Sequence, residues 1–140
     1  MAYWIMKTEP STFSIDDLMR DGKTVWDGVR SYEARNNLRK MSVGDMVYIY
    51  HSMTEKSIVG LAKVSRAAFE DPTDETGTWS SVEIVPVGKL ENHISLKELK
   101  ENPVTSGIPL VKKSRLSVSE IPENVYFLIE KQGKIMKNSY

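Results

Sequence analysis

Met46-Val47-Tyr48-Ile49-Tyr50-His51 and Ile58-Val59-Gly60-Leu61-Ala62-Lys63-Val64 are two runs of β-branched and aromatic residues. The polar Ser52-Met53-Thr54-Glu55-Lys56 lies between them, so they read as paired strands and their connecting loop. Gly60 interrupts the second run, and a glycine inside a strand marks a bend, a bulge or a close backbone approach. Trp79 to Val87 reads as a third long strand. A sheet that bends at Gly60 predicts curvature, closing into a small barrel.

Upstream, Tyr3-Trp4-Ile5-Met6-Lys7-Thr8-Glu9-Pro10 places an apolar strand directly before a charged, hydroxylated corner. Alternation sets Trp4, Met6 and Thr8 on one side and Tyr3, Ile5 and Lys7 on the other. Pro10 has no N–H to continue the ladder and disfavours helix at Glu9, which holds Lys7, Thr8 and Glu9 at the rim. Ser14 caps a helix that Gly22 ends after about seven residues, and Asp16 and Asp17 favour its positive end. Thr24 to Trp26 is a short strand, Asp27-Gly28 a turn, and Ser31 opens a helix with Ala34, Leu38 and Met41 on its apolar stripe.

Downstream, Ser95-Leu96-Lys97-Glu98 matches a capping box for a helix of about six residues, and Arg115 to Val118 reads as another strand. Pro122 fits the first position of a last helix with Val125, Leu128 and Ile129 inward and Gly133 as its stop. Lys134 to Tyr140 is expected to fray. This order lacks the regular alternation of a doubly wound sheet. It predicts one α+β domain over residues 1–140, with mostly antiparallel strands flanked by short helices.

The 140 residues suffice for one core without a disulfide or metal staple. Absence of cysteine excludes thiol nucleophiles, iron–sulfur ligation and thiolate zinc sites. The start lacks the basic and apolar regions of a signal peptide and no apolar run approaches the length of a membrane span, so a cytosolic or nuclear protein without membrane contact is expected. With 19 basic and 19 acidic side chains, the surface offers no general attraction for nucleic acid, and any such binding must be local. The charge is nevertheless uneven. Residues 67–102 hold 8 acidic and 3 basic side chains, whereas 103–140 hold 3 and 6.

Several residues can carry recognition. Val47, Ile49 and His51 share a strand face, which sets the imidazole at the end of an apolar row, next to the Ser52 hydroxyl. His51 there reads a base, acts as a general base, or is simply a hydrogen-bonded structural histidine. Trp26-Asp27-Gly28-Val29-Arg30 joins a flat aromatic suited to stacking to a permissive turn and a guanidinium suited to a carboxylate or phosphate, with a core tryptophan and an Asp27–Arg30 ion pair as the plain structural reading. Ala34-Arg35-Asn36-Asn37 concentrates two amides and an arginine in one helical turn, and Lys112-Lys113-Ser114-Arg115 precedes Leu116-Ser117-Val118 as a phosphate-touching rim or simply a solvated edge. No glycine-rich phosphate loop, nucleophile elbow or His-Glu-x-x-His helix is present, and no cofactor is implied. Binding is favoured over catalysis.

Tyr3 to Pro10, Trp26 to Arg30, Ala34-Arg35-Asn36, Val43-Gly44-Asp45, Tyr50-His51-Ser52, Ile58-Val59-Gly60 and Arg115 to Val118 occur in the order and spacing of the EVE domain family, which the chain resembles from Tyr3 to about Lys131. The resemblance implies a PUA-like pseudobarrel, similar in fold to YTH domains, which capture a methylated adenine of RNA in an aromatic cage. It implies a partner: nucleic acid, DNA or RNA, containing a modified base. By that resemblance Lys7 and Thr8 match a Lys-Ser element, with threonine keeping the hydroxyl, and Trp26 matches the first cage tryptophan. Gly28, Val29, Arg30, Asn36, His51, Ser52, Arg115 and Ser117 match further motif positions. The segment Phe69 to Thr78 is shorter than the corresponding loop of many relatives, which leaves Phe69 or Trp79 to supply a second cage wall. Two other classes compete with the base reader: a nucleotide-processing enzyme using His51 and Arg30, and a module for small molecules or other proteins.

Overall fold

Over residues 1–136, which the computed structural model describes, the chain runs through β1 (Tyr3–Thr8), α1 (Ile15–Asp21), β2 (Thr24–Trp26), α2 (Tyr32–Lys40) and β3 (Met46–His51). It continues through β4 (Ser57–Glu70), β5 (Ser80–Ser95), α3 (Leu96–Glu101), α4 (Pro109–Lys112), β6 (Val118–Ile121) and α5 (Glu123–Gly133). The strands form one sheet in the order β2-β5-β4-β3-β1-β6. β1 is parallel to β3, and every other neighbouring pair is antiparallel. This is the expected mixed α+β class, but the sheet is open: no pairing among the described residues joins β2 to β6.

β4 and β5 are the longest strands, and their pairing carries most of the register shifts in the sheet. Their register shifts between Ile58 and Gly60 and three more times before Glu70, so each extra residue bends the ribbon and increases its twist. Gly60 is glycine because of close approach: a Cβ there would lie 2.5 Å from Ile15 Cδ1 and 3.1 Å from the Gly88 carbonyl oxygen. Both strands outrun the expected Ile58–Val64 and Trp79–Val87, because their outer ends pair although the sequence there turns polar.

Both sheet faces are covered. Trp4, Met6, Val47, Ile49, Val82 and Ile84 pack beneath Leu18 of α1 and Ala34 and Leu38 of α2. Ile5, Tyr48, Tyr50, Leu61 and Leu90 pack beneath Leu99, Leu110, Val125 and Ile129 of α3, α4 and α5. The buried Asp45 carboxylate ties the first strand down, accepting from Trp4 Nε1 at 3.0 Å, Ser42 N at 3.0 Å and Ala2 N at 3.2 Å.

The N-caps of α1, α2 and α3 follow the reading of the sequence. Ser14 and Asp17 form a reciprocal capping box and Gly22 closes α1 at φ 76°, while Ser95 Oγ accepts the Glu98 N–H. Five details differ. β6 begins at Val118, not Arg115, because Leu116 N bonds back to Lys113 O in a turn that delays pairing with β1. α4 has only four residues, too few to show a helical period. In α5, Tyr126 takes the buried place expected of Leu128, and Pro122 is the cap rather than the first helical residue. Lys134 to Met136, counted into a fraying tail, instead lie along β5: Glu91 N donates to Lys134 O at 2.7 Å, Met136 N to Lys89 O at 2.8 Å, and Ile135 bridges Leu90. The rest of that tail lies outside the described residues.

Candidate functional site: a cleft at the open seam of the sheet

Residues from both edges of the open sheet line one cleft of about 600 Å³. β2 contributes Thr24, Val25 and Trp26, the segment leading into β6 contributes Ser117, and the end of β1 with its following turn contributes Lys7 to Glu9, Thr12 and Phe13. Asp27 to Ser31 complete the wall. The cleft therefore lies where the two edges remain unpaired.

Pro10 ends β1 as expected, and the chain turns with Thr12 N and Phe13 N both donating to Glu9 O at 2.9 Å. Thr8 Oγ1 donates to Phe13 O at 2.7 Å, which fixes the turn over the strand end. Phe13 meets Trp26 edge-on, with ring centroids 6.3 Å apart and planes at 88°. Trp26 is only 9% exposed and belongs to the core as well as to the cleft wall. It is both the core tryptophan and the cleft aromatic, readings that the sequence set apart.

Lys7 is half-buried, and its backbone N donates to Ser117 O at 2.9 Å. Its Nζ donates to Ser114 O at 2.7 Å. Burial lowers its pKa from the usual lysine value. The same Nζ lies 5.9 Å from the centroid of the Tyr50 ring.

Arg30 does not pair with Asp27. Its Nη1 donates to Asp71 Oδ2 at 2.9 Å and its Nη2 to Thr73 Oγ1 at 3.0 Å. The Gly28 N–H also reaches Asp71 Oδ2, at 2.8 Å, and Gly28 takes φ 77°, a left-handed conformation that favours glycine. Burial of the Asp71 carboxylate opposes its ionisation, but bonds from the Thr73 hydroxyl, Arg30, Thr73 N and Gly28 N outweigh this and hold its pKa at about 2. Arg30 thus braces the loop behind the cleft, with its charge already countered.

Seven of the expected residues meet at this cleft: Lys7, Thr8, Trp26, Gly28, Val29, Arg30 and Ser117. Four do not. His51 is buried, Nε2 accepting the Ile15 N–H at 3.0 Å and Nδ1 lying 3.1 Å from Glu55 Oε1, so the imidazole caps the start of α1. Ser52 Oγ donates to Thr8 O at 3.3 Å. Asn36 is exposed and accepts from Arg35, whereas its neighbour Asn37 reaches the sheet through Val118 O at 2.7 Å. Arg115 lines a separate cavity of about 410 Å³ with Lys112 and Lys113.

Sequence reasoning missed Phe13. The signal was there, an aromatic three residues after the Pro10 stop, but only the fold shows that the turn swings it against Trp26. Neither aromatic named for a second wall lines the cleft: Phe69 lies under Arg66, and Trp79 stacks with Tyr32.

Comparison with known proteins gives this geometry its relatives. Thymocyte nuclear protein 1 of Rattus norvegicus is 34% identical across 91% of this chain and 71% of its own length, and the human protein is 32% identical across 89% and 71%. A protein of Agrobacterium tumefaciens, Atu2648, superposes with a TM-score of 0.93 at 34% identity, covering 99% of this chain and 97% of that one. Human THYN1 in complex with DNA containing 5-methylcytosine superposes with a TM-score of 0.88 at 28% identity, covering 98% of this chain and all of that one. A YTH domain of Zygosaccharomyces rouxii, at 17% identity and a TM-score of 0.61, shares the fold. The EVE domain model matches residues 2–132, and the chain belongs to the EVE domain family.

Proposed function

We propose that the cleft receives one modified base from a nucleic acid chain and that the protein is a binding module for such bases. The observation that carries this reading is the pairing of a Trp26–Phe13 corner with the Lys7–Thr8 lip in a cleft of about 600 Å³, a size typical of ligand sites. The aromatic corner offers apolar contact to an extruded base, and Lys7 offers donors to a base oxygen or nitrogen. Similarity to human THYN1, solved with 5-methylcytosine-containing DNA, supports a modified base as the ligand.

The site is local, which suits a chain of zero net charge. His51 stands outside the cleft with both ring nitrogens engaged, and Arg30 is committed to Asp71, so neither supports the enzyme reading. The test is an NMR titration with modified and unmodified nucleosides and short DNA and RNA oligonucleotides, following the tryptophan indole signals. Selective shifts of the Trp26 indole by a modified base are expected, with binding of that base, read from the remaining signals, lost in Trp26→Ala. Equal response to modified and unmodified bases, or unchanged binding in a folded Trp26→Ala variant, overturns the reading.

A further inference from the structure

Tyr32 opens α2 directly after Ser31, a cleft residue, yet its side chain is 63% exposed. An aromatic so open is not there for the core. Its ring stacks on Trp79 with centroids 5.0 Å apart and planes at 29°. The Arg35 guanidinium lies 4.9 Å from the Tyr32 centroid and 5.9 Å from that of Trp79, and Arg30 lies 5.6 Å from Trp79. The stack is held in place: Arg35 Nη1 donates to Thr78 O at 3.1 Å, and Trp79 N donates to Asp74 Oδ2 at 3.0 Å. Ser31 also lines the cavity that carries Lys112, Arg115 and the Lys113–Glu33 ion pair, whose Nζ–Oε2 distance is 2.7 Å, so a groove of net positive charge adjoins the same point.

We propose that the Tyr32–Trp79 stack is a second nucleotide site, on which the base next to the one in the cleft stacks while the intervening phosphate faces the Lys112–Arg115 groove. Aromatic faces accept any base, and arginines at the ring strengthen the platform by cation–π contact. This rests on the cleft reading and adds to it that the ligand is an unpaired strand of at least two nucleotides. A base held in a duplex cannot leave its own neighbour to stack on Tyr32.

The experiment uses two single-stranded pentamers, DNA with a central 5-methylcytosine and RNA with a central N6-methyladenosine, each also made with abasic residues flanking the modified base. The abasic forms keep every phosphate and lose only the neighbouring bases. Affinities are measured for the wild type, Tyr32→Ala, Tyr32→Phe and Trp26→Ala. For the pentamer bound more tightly, abasic flanks are expected to weaken the wild type at least about fivefold, the low end of base–aromatic stacking. Tyr32→Ala shows the same loss with the intact pentamer and no further loss with the abasic one, while Tyr32→Phe behaves as wild type. Tyr32→Ala responding to abasic flanks as the wild type does overturns the second site alone. Dependence on Tyr32 with none on Trp26 supports the second site and overturns the cleft assignment, and no binding of either pentamer overturns both.

Discussion

Asp71 Oδ2 accepts both the Arg30 guanidinium at 2.9 Å and the Gly28 N–H at 2.8 Å, so one carboxylate, with none of its side chain exposed, holds together the loop that walls the cleft. The partners lie 41 and 43 residues away in the chain. No local pattern links them.

This pair predicts an acid-sensitive fold. The folded-state pKa of Asp71, about 2, lies below its unfolded value of about 3.9, so its ionisation stabilises the fold above pH ~4. That contribution, on the order of 2 kcal/mol, is lost as pH falls from about 4 towards 2. Asp71→Asn keeps the shape but removes the charge and an acceptor, and should cost about 2–4 kcal/mol at pH 7. Urea unfolding at pH 7 and near pH 2.5 checks this: the gap between wild type and variant should shrink at the lower pH. An equal gap at both would show that the charge of Asp71 is not what stabilises the loop.

His51 separates structure from recognition. Its Nε2 is the acceptor for the first N–H of α1, at 3.0 Å, while its ring lies away from the cleft lining. His51→Ala should lower stability by about 1–3 kcal/mol through the stranded Ile15 N–H and the lost packing. Nucleoside affinity should stay within about twofold of wild type, an effect below the ~0.5 kcal/mol scatter of distant sites. Denaturant melts and an indole-monitored titration of the same variant test both halves. Loss of affinity without loss of stability would put the imidazole in the site after all.

Much of this architecture was legible because local chemistry decided it. Pro10 ended β1, Ser14 and Gly22 bounded α1, and Val47 and Ile49 faced one core while Tyr48 and Tyr50 faced the other. What stayed hidden depends on contacts between distant segments. The Phe13–Trp26 corner, the Arg30–Asp71 pair and the capping role of His51 each join residues that only the folded sheet brings together. The open seam was hidden for the same reason: a curved sheet can close or stop short, and strand propensity does not count its final pairings.

Gly60→Ala tests the close approach that shapes β4. The added methyl would meet Ile15 Cδ1 at 2.5 Å and Cγ1 at 2.7 Å, inside a core where Ile15 is only 3% exposed. Overpacking of this kind costs about 1–3 kcal/mol. The melting temperature should fall, and the Ile15 methyl signals should move most. A variant as stable as wild type would mean that Ile15 repacks freely and that the bend does not require glycine.

Phe13→Ala is the sharpest probe of the cleft, because Trp26 has two tasks and Phe13 is only partly buried. Trp26→Ala removes a core side chain and should cost roughly 3–5 kcal/mol of stability, which blurs any binding result. Phe13→Ala opens the corner from the exposed side. It should leave a cooperatively folded protein that binds a modified nucleoside about 5- to 30-fold more weakly, the share of one aromatic contact. If recognition rests on stacking and a single lysine, as proposed, the slope of log affinity against log salt for the nucleoside 5′-monophosphate should be shallower than about −2. Calorimetric titration of wild type and Phe13→Ala at two salt concentrations checks both numbers. A steep salt slope with no effect of Phe13→Ala would move recognition from the aromatic corner to a phosphate-binding surface such as the Lys112–Arg115 groove.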